Sequence, residues 1–375
     1  MSTLPETTTA RKRSEALRQK YATLGEHEIW WRDHQQWLGE MGYMLRPRYR
    51  PGWKPSWEGK KIDASDCEDA VSLRYGALMD ATRTADGKVV MLKKVVDTTH
   101  PYELEVNRLF STEPIASHPK NHCAFVYEFL DVPGEDHVHI IVMPLLRAFN
   151  KPSFRTVGEA VDFFQQVFEG LQFMHRCHVA HRDCMDLNIM LDPYPLFPRL
   201  FHPQDTVMTL DHKALVKPYT RTRRPTKYFF IDFGLSAIYD PARGPTIDKP
   251  VLSGDKTVPE FQNDLNTPRD VYPTDVYYLG NMIRESFLQT YHGVEFMKPL
   301  VDDMVQDDPS KRPTMDEVMR RFEDVKRLIS WWKLRSRLVN QDESGLSKVF
   351  RATGHAFRTI GHIATFRPAI PSIPN

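Results

Sequence analysis

From about residue 66 to residue 145 the apolar positions come in short runs divided by turn residues. Gly76–Ala81 is followed by Val89–Lys93 across Ala85-Asp86-Gly87, and the Asp-Gly pair predicts a β-hairpin. A short helix is expected around Tyr102–Phe110, then two strand-like runs, Cys123–Phe129 and Val138–Met143. Further along, helical spacing dominates. Thr156-Val157-Gly158-Glu159 is a capping box ahead of apolar Ala160, Phe164, Val167, Leu171 and Met174. A second box, Thr314-Met315-Asp316-Glu317, opens a helix that turns Val318, Phe322, Val325 and Ile329 inward. Strand-rich first and helical afterwards, the chain predicts an α+β fold with a small β part at residues 66–146 and a larger helical part at 147–338.

The flanks differ in kind. Residues 1–24 are polar and charged, which predicts a flexible N-terminus. Residues 25–65 contain five of the seven tryptophans (Trp30, Trp31, Trp37, Trp53, Trp57), and so aromatic a stretch is expected to brace the domain that follows. Residues 339–375 form a basic tail. Its part from Ser344 onward carries Lys348, Arg351, Arg358 and Arg367 and no acidic residue. On a helix, Phe350, Phe357, Ile360 and Ile363 fall near one another, so residues 345–366 are a candidate for peripheral membrane or partner contact. Three glycines and the late prolines argue against such a helix, and packing on the larger lobe or disorder are the alternatives.

Length and composition narrow the classes. The 375 residues suffice for one two-lobed domain plus extensions, and 41% apolar content supports a core. A formal charge of +1 gives no electrostatic case for nucleic acid. The four cysteines lack CxxC spacing and read as reduced thiols. No apolar run approaches the ~18 residues a membrane span needs. With no signal peptide, the expected location is intracellular, cytoplasmic or nuclear.

The chemistry concentrates in His181-Arg182-Asp183-Cys184-Met185-Asp186-Leu187-Asn188 and in Asp232-Phe233-Gly234, which follows the apolar run Phe229-Phe230-Ile231. An aspartate five residues before an asparagine, with a second acidic residue downstream, can place a proton acceptor beside two magnesium-binding groups. Val258-Pro259-Glu260, the run Asp275–Gly280 and Asp308-Pro309-Ser310-Lys311-Arg312-Pro313-Thr314 follow in order. Together these motifs resemble the eukaryotic protein kinase family. The tryptophan-rich lead and the long insert resemble kinase-domain proteins numerous in mushroom-forming fungi.

The resemblance implies the two-lobed protein kinase fold, ATP and Mg2+ as cofactors, and a protein substrate of unknown identity. Asp183 would be the catalytic base, and Asn188 and Asp232 the metal ligands. Lys93 would reach the nucleotide phosphates, and Glu105 would fix Lys93, with Glu103 the weaker candidate. Gly76, Leu78, Met91, Met143, Leu145 and Met190 would contact the nucleotide. Glu260 would pair with Arg312, Asp275 would anchor the catalytic loop, and Arg182 would bind a phosphate on the activation segment. Tyr239, Thr246, Ser253 and Thr257 are the candidate phosphate acceptors, with Ser253 or Thr257 alternatively a structural hydroxyl near Asp183.

Several features depart from the family. Between Asn188 and Asp232 lie 43 residues, and the excess, about 193–227, has seven Lys/Arg against two Asp. It reads as a loop over the substrate side of the cleft. The glycine-rich loop is reduced to Gly76 at the end of Val71–Gly76. Met185 and Leu187 stand where kinases carry a cation for the transferred phosphate, and Arg223, Arg224 or Lys227 are candidates to replace it. Met91 narrows the adenine slot. These readings favour a slow or substrate-restricted protein kinase; the alternative is a pseudokinase acting as scaffold or allosteric partner. A phosphotransferase of the aminoglycoside type fits less well, since it lacks the Asp-Phe-Gly and the Glu260–Arg312 pairing.

Overall fold

The computed structural model describes residues 8–373 apart from Pro245, Leu252, Ser253 and Asn263. The architecture is mixed α+β, and the chain divides into two compact units. One comprises residues up to Val95 with Tyr127–Leu145 and Phe197–Lys217; the other comprises Val96–Val126, Leu146–Leu196 and Pro218 onward.

The first unit is built on a curled antiparallel sheet with strand order β1-β2-β3-β5-β4. Its strands are β1 (Tyr43–Leu45), β2 (Leu78–Arg83), β3 (Val89–Val96), β4 (Glu128–Asp131) and β5 (Val138–Pro144). The Asp86-Gly87 turn closes the β2–β3 hairpin: Gly87 has φ +69°, and Arg83 Nε donates to Asp86 Oδ1 at 3.0 Å. The expected strand at Cys123–Phe129 begins only at Glu128. Before it, Cys123 makes a single bridge to Phe230.

Strand alternation sorts β2 and β3 into two faces. Met79, Ala81, Val90 and Leu92 point into a core completed by Trp31, Leu38, Tyr43, Leu45 and Tyr49. The tryptophan-rich lead therefore supplies five of this core's fourteen buried residues. It folds as α2 (Glu26–Asp33) and α3 (Gln35–Glu40), preceded by α1 (Thr8–Tyr21). Of the N-terminal stretch expected to be flexible, residues 8–21 form α1, and Arg18 donates to the carbonyls of Ile62 and Trp57, each at 2.7 Å. Arg48 and Glu28 lock the lead from within, as a buried pair joined at 3.0 and 3.2 Å. Burial alone would raise the Glu28 carboxyl, but the Arg48 guanidinium, the Gly25 amide and the Tyr49 hydroxyl outweigh it and hold Glu28 below its usual value.

The strand beside β2 is β1, with Leu45 opposite Ala81. Residues 46–77 thus separate the two strands, and no glycine-rich hairpin joins them. Gly76 instead receives α2: its carbonyl accepts the Trp31 indole N–H at 2.9 Å.

The second unit is mainly helical. It contains α4 (Glu103–Ser111), α5 (Val157–Arg176), α6 (Tyr272–Ile283), α7 (Lys298–Met304), α8 (Met315–Leu328), α9 (Trp331–Arg335) and α10 (Gly345–Ala364). Thr156 Oγ1 accepts from the Glu159 amide and caps α5, whose apolar positions Ala160, Phe164, Val167, Leu171 and Met174 are all buried. Thr314 caps α8 in the same way. A small antiparallel sheet of β6 (Arg147–Ala148), β8 (Ile189–Leu191) and β9 (Tyr228–Phe230), with β7 (Val179–Ala180) paired to β10 (Ala237–Ile238), carries the chemical motifs at its ends.

The insert is split between the units. Phe197–Lys217 belongs to the sheet-bearing unit, and the rest of the insert to the helical one. His202 and Gln204 fix the Phe197–Lys217 part: His202 Nε2 lies 3.1 Å from Glu68 Oε1, and Gln204 Nε2 donates to Asp80 Oδ1 at 3.0 Å.

Candidate active site

The 181–188 loop runs from β7 to β8 through a tight backbone path in which Arg182 takes φ +65°. Such a conformation is costly for a side-chain-bearing residue and needs external support. Asp275 of α6 provides it. Its fully buried carboxylate accepts the backbone N–H of His181 at 2.8 Å and of Arg182 at 2.7 Å, with His175 Nε2 at 3.0 Å.

Held this way, the loop brings Asp183 and Asn188 together. The Asn188 amide donates to Asp183 Oδ2 at 2.8 Å and to the Asp183 carbonyl at 2.9 Å. The other carboxylate oxygen, Asp183 Oδ1, is buried with no hydrogen-bonding partner among the described residues. Burial pushes the Asp183 carboxyl up to about 6; the Asn188 hydrogen bond opposes this, and the charges of Asp232, Asp275 and Asp255 add to it. Backbone also covers this oxygen: Gly254, at φ +87°, approaches so closely that a side chain there would collide with Oδ1.

Asp232 follows β9 in the left-handed region, φ 63°, and its Oδ1 accepts from the Gly234 amide at 3.4 Å. Phe233 is buried, its ring 6.1 Å from Phe110 and 5.5 Å from His181. His100 Nδ1 meets the Gly234 carbonyl at 2.9 Å.

The structure separates the two glutamates of α4. Glu103 is buried, with Oε2 close enough to Gly234 to touch any side chain placed there, whereas Glu105 is exposed. The sequence reading chose Glu105, with Glu103 the weaker candidate, as the acid of α4 to fix Lys93, whereas the buried acid of α4 is Glu103. The two differ by ~200° around the helix, so burying one exposes the other.

Lys93, Leu78, Met91, Met143, Leu145 and Gly76 all lie in the sheet-bearing unit. Leu78 stands opposite Lys93 and Asp80 opposite Met91 in register, so these four share the face of β2–β3 away from the tryptophan core. Leu145, at the end of the unit, is buried, and Met143 half-buried. Met190 belongs to the helical unit, paired with Phe229 in β8–β9.

Asp80 is a buried carboxylate that sequence reading passed over. Arg46 Nε lies 2.9 Å from its Oδ2, and the same guanidinium reaches Glu68 at 3.1 Å and the Tyr49 hydroxyl at 3.2 Å. Burial works against the Arg46 charge, yet Asp80, Tyr49 and Glu68 outweigh it and raise its pKa. Gln204 completes the cluster, accepting the Arg74 amide at 3.1 Å while donating to Asp80.

The stretch from Tyr239 to Glu260 is held by charge. Arg182 donates to Asp248 Oδ2 at 2.8 Å and to the Lys249 carbonyl at 2.6 Å, and Tyr239 donates to the same carboxylate at 3.2 Å. The expected Glu260–Arg312 pair is bidentate at 2.8 and 2.6 Å and almost fully buried. Thr257 bonds Asp255 and Tyr277. Thr246 donates to Asp270, and Ser253 lies outside the described residues. Met185 is half-buried and Leu187 exposed. The substitute cations are engaged with rings: Arg223 and Arg224 over Tyr219, Lys227 over Phe229.

Among the described residues no group of three or more His, Cys, Asp or Glu is arranged to hold a metal. The donor set nevertheless suits magnesium bound together with a phosphate. Asn188 turns its N–H groups toward Asp183, which leaves its carbonyl oxygen as a hard ligand, and Asp232 adds a carboxylate; nucleotide and water can supply the rest. Searches against models of protein families and against curated proteins found no match for the chain.

Proposed function

We propose that this chain is an ATP-dependent protein kinase that moves the γ-phosphate of MgATP to a protein hydroxyl. The observation that supports this most is Asp183: one carboxylate oxygen is fixed by Asn188, and the other is buried and lacks a donor among the described residues. A buried acceptor without a donor suits a substrate hydroxyl, which would reach it once the Gly254 backbone that covers it moves aside. In this reading the hydroxyl donates to Asp183 Oδ1. Its oxygen forms a bond to the γ-phosphorus as the bond to the β–γ bridging oxygen breaks, Asp183 takes the proton, and ADP departs. Bound magnesium would offset phosphate charge, and the mutual repulsion of Asp183 and Asp232 is the local charge imbalance that a cation relieves. Asn188 and Asp232 would hold it. As the kinase resemblance implies, Lys93 would be the phosphate contact, and Leu78, Met91, Met143, Leu145 and Met190 the candidate base contacts. Glu103 replaces Glu105 as the buried acid of α4.

A phosphotransfer assay on a mixed peptide library tests the proposal. The expected result is incorporation by the wild-type protein that Asp183→Ala removes while the melting temperature is kept. Incorporation that survives in Asp183→Ala overturns it.

A second reading, a pseudokinase scaffold, draws support from Asp80. The face bearing Leu78, Met91 and Lys93 also bears this carboxylate, tied to Arg46 and to Gln204 of the insert, and residues 46–77 stand where a glycine-rich hairpin would cover phosphates. The two readings part on nucleotide affinity.

A further inference from the structure

Among the side chains described in helix α10, from Arg351 to Ala364, the usual order of polar and apolar positions is reversed. Its half-buried residues are polar: His355 Nε2 meets the Arg335 carbonyl at 3.0 Å, Thr359 Oγ1 lies 3.3 Å from the same nitrogen, and His362 shares their side. Its apolar residues face solvent. Phe357 is 72% exposed, Ile360 64%, and Phe366, just past the helix, 95%. Phe357, Ile360 and Ala364 fall within ~60° of one another around the axis at ~100° per residue. A helix of a water-facing protein ordinarily buries such a stripe.

The surroundings are strongly cationic. Burial, then Arg155 and Arg337, depress the pKa of Arg358; burial, then Arg367, Arg335 and Arg358, depress that of His362. The nearby acids are already taken. Glu159 is buried and accepts from Thr222 and from the Arg155 amide, while Glu343 pairs with Arg337 at 2.8 Å and with Arg351 at 3.4 Å. Arg351 thus shares Glu343 with Arg337, while Arg358 and Arg367 have no carboxylate partner among the described residues, and from Ser344 onward the chain has no acidic residue.

An exposed apolar stripe flanked by arginines that outnumber their acidic partners matches a surface that is negative outside and apolar beneath. No described helix is long and apolar enough to cross a membrane, so the contact would be in plane. We propose that α10 docks on an anionic lipid surface, with Phe357, Ile360 and Phe366 in the headgroup–acyl boundary and Arg351 and Arg358 at the lipid phosphates.

Full-length protein is sedimented with vesicles of phosphatidylcholine alone or mixed with phosphatidylserine. Binding should be about tenfold tighter to the mixed vesicles and should weaken with salt. Arg351→Gln and Arg358→Gln should each weaken it about fivefold. Phe357→Asp should abolish it at an unchanged melting temperature, since that side chain touches solvent in the free protein. Equal binding by wild type and Phe357→Asp overturns the proposal, as does indifference to phosphatidylserine. Absence of vesicle binding, the outcome expected of a protein-docking helix, overturns it too.

Discussion

Arg46 and Asp80 form an ion pair at 2.9 Å, and this pair stands on the same face of β2–β3 as Leu78, Met91 and Lys93. Both side chains are largely withdrawn from water, at 10% and 4% exposure. Removing the cation would strand two acids, Asp80 and Glu68, beside each other. Arg46→Ala is therefore expected to cost about 3–5 kcal/mol in urea denaturation, whereas Arg83→Ala, on an exposed Asp86 pair, should cost under about 1 kcal/mol.

Asp183 makes stability and activity move oppositely with pH. Its folded pKa of about 6 lies above the ordinary carboxylate value, so the folded state keeps a proton that the unfolded chain has released. Ionising it costs stability as pH rises from about 4 to about 6, and the loss is then constant. Asp183→Asn should lack this decline in melts across that range. The rate needs the ionised form, so kcat/KM should rise about tenfold per pH unit below about 6 and level above it.

Arg182 already has a carboxylate partner in Asp248. Phosphatase treatment should therefore leave the rate unchanged, in contrast to an enzyme whose arginine waits for a phosphate. Asp248→Asn should lower kcat about tenfold by loosening the segment, with little change in melting temperature.

The 181–188 loop was legible in the sequence because its parts are local or carried by distinctive residue types. Asp183 and Asn188 sit on one loop, and Asp275, Glu260 and Arg312 lie in motifs that resemble those of protein kinases. Tyr43–Leu45 did not stand out as a strand, since three residues leave no readable period and its neighbours are proline-punctuated. The destination of Phe197–Lys217 was hidden for another reason. His202 and Gln204 look like ordinary loop residues until Glu68 and Asp80, far away in sequence, meet them. The Glu103–Glu105 choice turned on which side of α4 is buried, and helical spacing alone leaves that open.

The most direct test of nucleotide-dependent function is a thermal-shift titration with ATP, with and without magnesium. With an affinity in the range of tens to hundreds of micromolar, millimolar MgATP should stabilise the protein by about 2 kcal/mol. The melting temperature should rise by a few degrees with MgATP, rise little with ATP and chelator, and stay flat in Asp232→Ala and Lys93→Ala. No shift of the wild-type protein at millimolar MgATP would contradict the kinase account and leave the scaffold reading.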